Sequence, residues 1–227
     1  MTLYLSRLSL DRNAPTAALA QLLDPNDANR AADAHHRLIW TVFSDASDRE
    51  RDFLWRAEGG GRFLTLSKRP PLTNDLFAPP EIKPFEPDLR RGDRLQFTLR
   101  ANATRDRARG QREGSMENRR VDVVMDLLHE IPKGRRADHR DAKAIEAAQG
   151  WLSRQAETRG FQLVDLYVEG YTTLDLARRG RRARLGILDL SGLIEITEPA
   201  AFLPALTAGF GRAKAWGCGL MLIRRAG

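Results

Sequence analysis

Two adjacent histidines, His35 and His36, are suited by residue type to acid–base chemistry near neutral pH. A histidine titrates near pH 6.5, so it can accept or donate a proton within one reaction. The apolar stripe that predicts a helix over about 28–43 consists of Ala31, Ala34, Leu38 and Val42. At about 100° per residue, His35 lies at the edge of that stripe and His36 on the opposite face. We therefore expect His35 to be a partly buried structural residue and His36 to reach a ligand. An ordinary surface histidine is the alternative for His36.

A glycine-rich segment, GFGRAKAWGCGL at 209–220, is the second candidate for chemistry. It lacks both the dinucleotide pattern, because Lys214 stands at the third glycine position, and the G-x-x-x-x-G-K-[ST] pattern of nucleoside-triphosphate loops. The patterns around it predict a helix at 198–208 and a strand at 218–225, so the segment meets the negative end of a helix dipole. An anion site would then depend on Arg212, Lys214 and exposed amides. The alternative is a helix end followed by close packing of the next strand.

Positive charge is concentrated in three parts of the chain. The formal net charge is +7 and the isoelectric point is near 10.1. Residues 100–120, 178–184 and 212–225 carry net charges of +4, +5 and +4, and the remainder is acidic. Any one cluster is typical of a solvated surface, but three together favour nucleic acid as the partner, ahead of a membrane.

The remaining composition restricts the function classes. A single cysteine excludes an internal disulfide partner, and we find neither a signal peptide nor an apolar run of about 18 residues. We therefore expect a cytoplasmic protein with no membrane partner. Among the four histidines, none pairs with Cys218 at a ligand spacing, so we expect no metal site and no cofactor.

The pattern of elements predicts an α+β fold of two tandem ferredoxin-like units, each βαββαβ. The predicted domains are an N-terminal unit at 1–102, a basic irregular connector at 103–140, and a C-terminal unit at 141–227. Strands are predicted at 3–10, on both sides of the glycines 59–61, and at 94–101, 161–168, 183–197 and 218–225. A second helix is predicted at 141–159, and the proline-rich residues 69–87 are expected to form an extended connector.

Motifs along nearly the whole chain resemble one known family. They are HHRLIWTVF, RLQFTLRAN, NRRVDV, GWLSRQAETRGF and GFGRAKAWGCGL. Together they resemble CasE, the CRISPR precursor-RNA endonuclease subunit of the type I-E Cascade complex. The resemblance implies a metal-independent endoribonuclease that cleaves the CRISPR repeat hairpin by attack of a ribose 2′-hydroxyl, leaving a 2′,3′-cyclic phosphate. It also implies that the protein keeps the mature RNA and joins other Cascade subunits. The alternative is a non-catalytic RNA-binding or assembly subunit.

The resemblance also implies roles for individual residues. His36 lies four residues before Trp40 and seven before Phe43, which is the register of the catalytic histidine of the family. Asp33 stands where the family often has a tyrosine, and it would orient the imidazole or lie solvated on the helix. The expected RNA-binding residues are Arg105, Arg107, Arg109, Arg112, Arg119, Arg120, Arg212 and Lys214. The glycines expected to bring the backbone close to RNA are Gly209, Gly211, Gly217 and Gly219. The arginines of 178–184 would either bind the RNA backbone or face solvent.

Overall fold

The computed structural model describes residues 2–13, 18–46, 48–107, 119–178 and 181–226. Its first part is a four-stranded antiparallel sheet in the order β2-β3-β1-β4. These strands are β1 (Tyr4–Ser9), β2 (Phe53–Gly59), β3 (Arg62–Ser67) and β4 (Glu81–Pro84). Helix α1 (Ala20–Leu23) and helix α2 (Ala28–Trp40) lie between β1 and β2 in the chain.

The second part is another four-stranded antiparallel sheet, in the order β10-β5-β9-β8. Its strands are β5 (Arg94–Ala101), β8 (Phe161–Arg178), β9 (Arg181–Ile196) and β10 (Met221–Arg225). Three helices accompany it: α3 (Val123–Leu128), α4 (Arg140–Arg159) and α5 (Pro199–Ala208). Between β5 and α3 the chain forms a separate two-stranded hairpin of β6 (Thr104–Arg107) and β7 (Arg119–Asp122), which we call the basic arm.

Both four-stranded sheets have the ferredoxin-like order, in which the fourth strand of a unit lies beside its first, then the third and the second. The predicted α+β class with two tandem ferredoxin-like units is therefore confirmed. In the first unit the chain between β3 and β4 forms no helix in the described residues. Prolines at 70, 71, 79 and 80 explain this, because proline removes a backbone donor and fixes φ.

Two strands differ from the sequence prediction in their placement. Strand β5, which the pattern places at the end of the first unit, pairs with β9 and β10 in the second sheet. The fourth strand of the first sheet is instead β4, within the proline-rich 69–87 segment. Alternation of apolar residues identifies which face of a strand is buried, but it carries no information on which neighbouring strand accepts its hydrogen bonds.

Two main apolar cores lie under these sheets. The first contains Leu38 and Ile39 of α2 packed with Phe63 of β3, and all three are at most 3% exposed. The second packs α4 through Leu152 against β5 and β9. Among the helices in the described ranges, none is long and apolar enough to cross a membrane.

Candidate active site

Helix α2 begins at a capping aspartate and is held by one buried face. The Asp27 carboxylate accepts from Arg30 N at 2.8 Å, which satisfies a donor at the helix start. The buried positions of α2 are Ala32, His35, Leu38 and Ile39, so the buried face is rotated by one residue from the predicted Ala31/Ala34 stripe. Alanine tolerates either environment because it is small, and this makes it a weak marker of the buried face.

His35 has the structural role that its position predicted. Its side chain is buried, and its ring packs edge-on against Phe63 with a centroid distance of 4.9 Å. His35 Nε2 lies 2.8 Å from Asp24 Oδ1. The histidine therefore joins α2 to the first core and to the segment that precedes the helix.

His36 faces the glycine-rich loop of the second unit. Its Nδ1 lies 2.9 Å from the carbonyl oxygen of Ala215, and its ring centroid lies 6.2 Å from that of Trp216. A carbonyl oxygen only accepts, so Nδ1 donates and the lone pair of the neutral ring is on Nε2. The two segments that the sequence singled out for chemistry, 179 residues apart, are thus joined by one hydrogen bond.

The glycine-rich loop is tightly packed against the rest of the protein. Helix α5 ends at Ala208, and a helical turn at Lys214–Trp216 lies in the middle of the loop. Gly211 has φ 73°, and a Cβ there would lie 2.7 Å from the carbonyl oxygen of Asn102. This close approach accompanies a hydrogen bond of 3.0 Å from Arg212 N to the same oxygen. Gly211 therefore serves close packing of the protein, and the approach of the loop glycines to RNA stays a prediction.

Four cations lie in or beside the loop: Lys214 and Arg212 within it, and Arg51 and Arg159 next to it. Burial lowers the pKa of Lys214, and the positive charges of Arg51, Arg159 and Arg212 lower that pKa further. Arg159 Nη1 donates to the carbonyl oxygen of Gly209 at 3.2 Å, and its guanidinium lies 4.9 Å from the Phe210 ring centroid. Arg212 is exposed. The loop is therefore the meeting point of a histidine and a cluster of positive charge.

Sequence reasoning missed Arg51 and Arg159 as members of this cluster. Arg159 lies within GWLSRQAETRGF, one of the segments that carry the family resemblance, but its neighbours in the sequence do not mark it as a phosphate-binding residue. Arg51 stands in a polar stretch before β2 and gives no local signal. Only the fold brings both arginines to Lys214.

Asp33 is bonded to a different partner from the one suggested for it. It is exposed, and its Oδ2 accepts from Arg37 Nη2 at 2.6 Å along the same helix. The orienting contact described for His36 comes instead from the Ala215 carbonyl. A role of Asp33 in orienting His36 stays a prediction.

The basic arm carries the other expected RNA contacts. Arg105 forms an ion pair with the buried carboxylate of Asp126 on α3, and Arg120 Nε donates to Asp106 Oδ1 at 3.1 Å. In the backbone register of β6 and β7, Arg107 is paired with Arg119. Two more of the predicted contacts lie outside the described residues, namely Arg109 and Arg112.

The base of the basic arm is fixed by Asp122. Its Oδ1 accepts from Val124 N and Met125 N at 2.9 Å each, which caps α3, and from the Tyr171 hydroxyl at 3.0 Å. Burial raises the pKa of the Asp122 carboxyl and also that of the Tyr171 hydroxyl. The arm is therefore tied to strand β8.

Near the 178–184 cluster, Asp175 and Arg184 pair across the β8–β9 hairpin, and Asp175 contacts the start of α2. Asp175 N donates to the Asn29 side chain at 2.7 Å, and Arg184 Nε donates to Asp175 Oδ1 at 2.8 Å. Residues 179–180 lie outside the described part of the chain. The hairpin thus supports the helix that carries His36.

Cys218 is a core residue. It is fully buried with Leu176 and Ile187, and burial raises the pKa of its thiol to about 12. A thiol with so high a pKa is a poor nucleophile near neutral pH. Within the described ranges, no group of three or more His, Cys, Asp or Glu side chains gathers as a metal-binding cluster.

Comparisons of the sequence and of the structure with known proteins both find CRISPR-associated proteins. A family model described as CRISPR associated protein matches residues 3–225. The chain is 23% identical over 195 residues to the CRISPR system Cascade subunit CasE of Escherichia coli (strain K12), covering 82% of this chain and 88% of that protein. It is 28% identical over 154 residues to the CRISPR-associated endoribonuclease Cse3 of Thermus thermophilus, covering 62% of this chain and 60% of that protein. The structure of Thermus thermophilus Cse3 bound to an RNA representing a pre-cleavage complex aligns with a TM-score of 0.67 and 25% identity, over 99% of this chain and 100% of that one.

Proposed function

Because this chain belongs to the family of CRISPR-associated proteins, we propose that it is the endoribonuclease that cleaves CRISPR repeat hairpins in precursor RNA. The resemblance to CasE read from the sequence agrees with the relatives found. The proposal includes three finer points: cleavage without a metal ion, a 2′,3′-cyclic phosphate product, and a cytoplasmic location.

The observation that carries this proposal is the contact of His36 with the glycine-rich loop. A histidine nitrogen that can exchange a proton lies beside a loop on which Lys214 and Arg212 place positive charge. Cleavage of RNA by its own 2′-hydroxyl needs these two elements: a proton carrier near the ribose and stabilisation of charge on the phosphate.

In the proposed reaction, the 2′-oxygen forms a bond to the adjacent phosphorus while the bond from phosphorus to the 5′-oxygen breaks. The 2′-hydroxyl loses a proton, and the leaving 5′-oxygen gains one. Because His36 Nδ1 is engaged with the Ala215 carbonyl, Nε2 performs whichever of these transfers His36 carries out. The cations of the loop stabilise the negative charge that develops on the phosphate oxygens.

The remaining positive charge would hold the RNA. Exposed arginines such as Arg120 on the basic arm suit contacts to phosphates and to the shape of a hairpin. By analogy with the Cascade subunit CasE, the protein would then stay on the mature RNA and bind further Cascade subunits. The alternative is an RNA-binding subunit without activity. It would use the same surfaces to hold RNA, and His36 would transfer no proton.

The test is cleavage of a cognate repeat hairpin by the wild type and by His36→Ala, both in EDTA. We expect the wild type to cleave and the variant to lose about 10²–10⁴-fold in rate, the usual value of a positioned acid or base. Affinity for a hairpin with a 2′-deoxyribose at the cut site should be equal for both proteins. Unchanged cleavage by the variant would remove His36 from the mechanism.

Analysis of the cleavage products tests whether the 2′-hydroxyl attacks the phosphate and whether a 2′,3′-cyclic phosphate forms. A hairpin with one 2′-deoxyribose before the cut should bind normally and remain intact, and the ribose substrate should end in a 2′,3′-cyclic phosphate. Absence of cleavage by the wild type with Mg²⁺ as well as in EDTA, with tight binding, would support the RNA-binding alternative, whereas cleavage with Mg²⁺ alone would overturn only the metal-independent point.

A further inference from the structure

Trp55 lies beneath the candidate active site and contacts both of its halves. It is on strand β2 and only 2% exposed. On one side its ring lies edge-on to that of His35, with a centroid distance of 6.3 Å. On the other side it faces the glycine-rich loop, where a Cβ at Gly217 would lie 3.1–3.3 Å from three atoms of its six-membered ring. One side chain therefore lies against both α2 and the loop.

The loop is held in an unusual conformation over this tryptophan. Gly217 has φ 73°, and Ala213 has φ 54°, the single positive φ among the non-glycine residues described. A non-glycine residue in this region costs about 1–3 kcal/mol and persists where the surrounding structure imposes it. Ala215 lies between these two residues, and its carbonyl oxygen accepts from His36 Nδ1.

We propose that Trp55 is a positioning residue for His36. By packing against both α2 and the glycine-rich loop, it holds the Ala215 carbonyl on Nδ1, so that the proton of the reaction is carried by Nε2. The catalytic part of this inference rests on the proposed function, whereas the tautomer of His36 is a property of the protein without RNA.

The distance between helix and loop matters because the His36 ring and the Ala215 carbonyl that accepts from it belong to different units. His36 projects from α2, and its hydrogen-bond partner belongs to a segment of the other unit. If the loop moves away, Nδ1 loses the acceptor that selects its proton, and the position of Nε2 relative to the reacting atoms changes. A misplacement of about 1 Å can cost about 10²-fold in rate.

The experiment changes this contact from both sides. Gly217→Ala adds a methyl group against the Trp55 ring, and Trp55→Phe reduces the ring while keeping an aromatic core residue. The matched control is Phe77→Leu, which alters the same core through a residue that packs on Phe63. For each protein we would record the ¹⁵N signals of the His36 imidazole, assigned by comparison with His36→Ala, together with the rate and RNA affinity.

In the wild type, the neutral His36 ring should show a protonated Nδ1 and an unprotonated Nε2. Gly217→Ala should give mixed tautomers and a rate about 10²-fold lower, with RNA affinity changed by less than about twofold. Trp55→Phe should change both readouts in the same direction by less, and Phe77→Leu should leave the nitrogen signals unchanged.

Three results would overturn the proposal: an Nε2–H tautomer in the wild type, unchanged nitrogen signals in both Gly217→Ala and Trp55→Phe, or an equal change in Phe77→Leu. A wild type that does not cleave would remove the proposed function alone, because the nitrogen signals would still decide the role of Trp55.

Discussion

The glycine-rich loop and the basic arm carry the same kind of charge in opposite settings. In the loop, Lys214 is partly buried among other cations, and its pKa is lowered by that burial and by those neighbours. In the arm, Arg120 is more than half exposed and paired with the equally exposed Asp106. The loop thus holds positive charge with which no carboxylate in the described part of the chain forms an ion pair, and the arm presents solvated charge that is partly compensated.

This difference separates two ways in which a cation acts on RNA. A desolvated charge interacts strongly with charge that develops at a nearby reacting centre. An exposed arginine contributes mainly to salt-dependent binding of the backbone. We therefore expect changes in the loop to alter stability and rate, and changes in the arm to alter affinity.

The largest expected effect in the loop is on stability. Gly211→Ala and Gly60→Ala both place a side chain at positive φ, 73° and 58°, but only at Gly211 does the new Cβ meet a backbone oxygen. Gly60→Ala should lower the free energy of unfolding by about 1 kcal/mol. Gly211→Ala should lower it by about 2–4 kcal/mol, because the contact with Asn102 must also open. Chemical denaturation measures both, and equal losses would contradict the tight packing of the loop.

The next largest effect is on RNA cleavage, where a substitution in the loop can be compared with one in the basic arm. Lys214→Ala should reduce the rate at saturating RNA by about 10²-fold. It should also weaken binding, and this loss of affinity should shrink as salt rises. Arg120→Ala should leave that rate unchanged and lower the slope of log affinity against log salt by about 1. A loss of rate in Arg120→Ala with none in Lys214→Ala would reverse the comparison.

The smallest effect is the pH dependence of stability. The pKa of Lys214 in the folded protein is below the ordinary value of 10.5, so the unfolded chain binds the proton more tightly. The free energy of unfolding therefore rises as pH increases from the lowered pKa to about 10.5. Below that window the folded protein carries the full cost of burying the charged Lys214. Lys214→Met should stabilise the protein at neutral pH by less than about 1 kcal/mol and flatten that rise. Urea denaturation across this range would measure it, and an unchanged slope would contradict a desolvated Lys214.

Much of the fold was accessible from local patterns. The alternation of Leu95, Phe97 and Leu99 predicted β5, and the apolar spacing predicted α2. The sheet to which β5 belongs was not accessible, because pairing depends on backbone hydrogen bonds that no side-chain pattern records. Proline-rich sequence also concealed β4, which is an edge strand where proline is tolerated.

The candidate site shows the same division. The register of His36 on its helix could be read from neighbouring residues, and this selected it over His35. Its partner could not be identified, because a backbone carbonyl exists at every position and leaves no residue-type signal. The effect of Arg51 and Arg159 on the pKa of Lys214 likewise depends on distances between separate elements.

The hydrogen bond between His36 and Ala215 has a consequence for the order of synthesis. Its two residues are 179 positions apart, so the histidine leaves the ribosome long before its partner exists. At the usual 5–20 residues per second, that delay is roughly 10–40 s. The first sheet can form in that interval, but the imidazole has no Ala215 carbonyl to fix its proton. The nascent chain therefore passes through a stage with positive charge and an unfinished candidate active site.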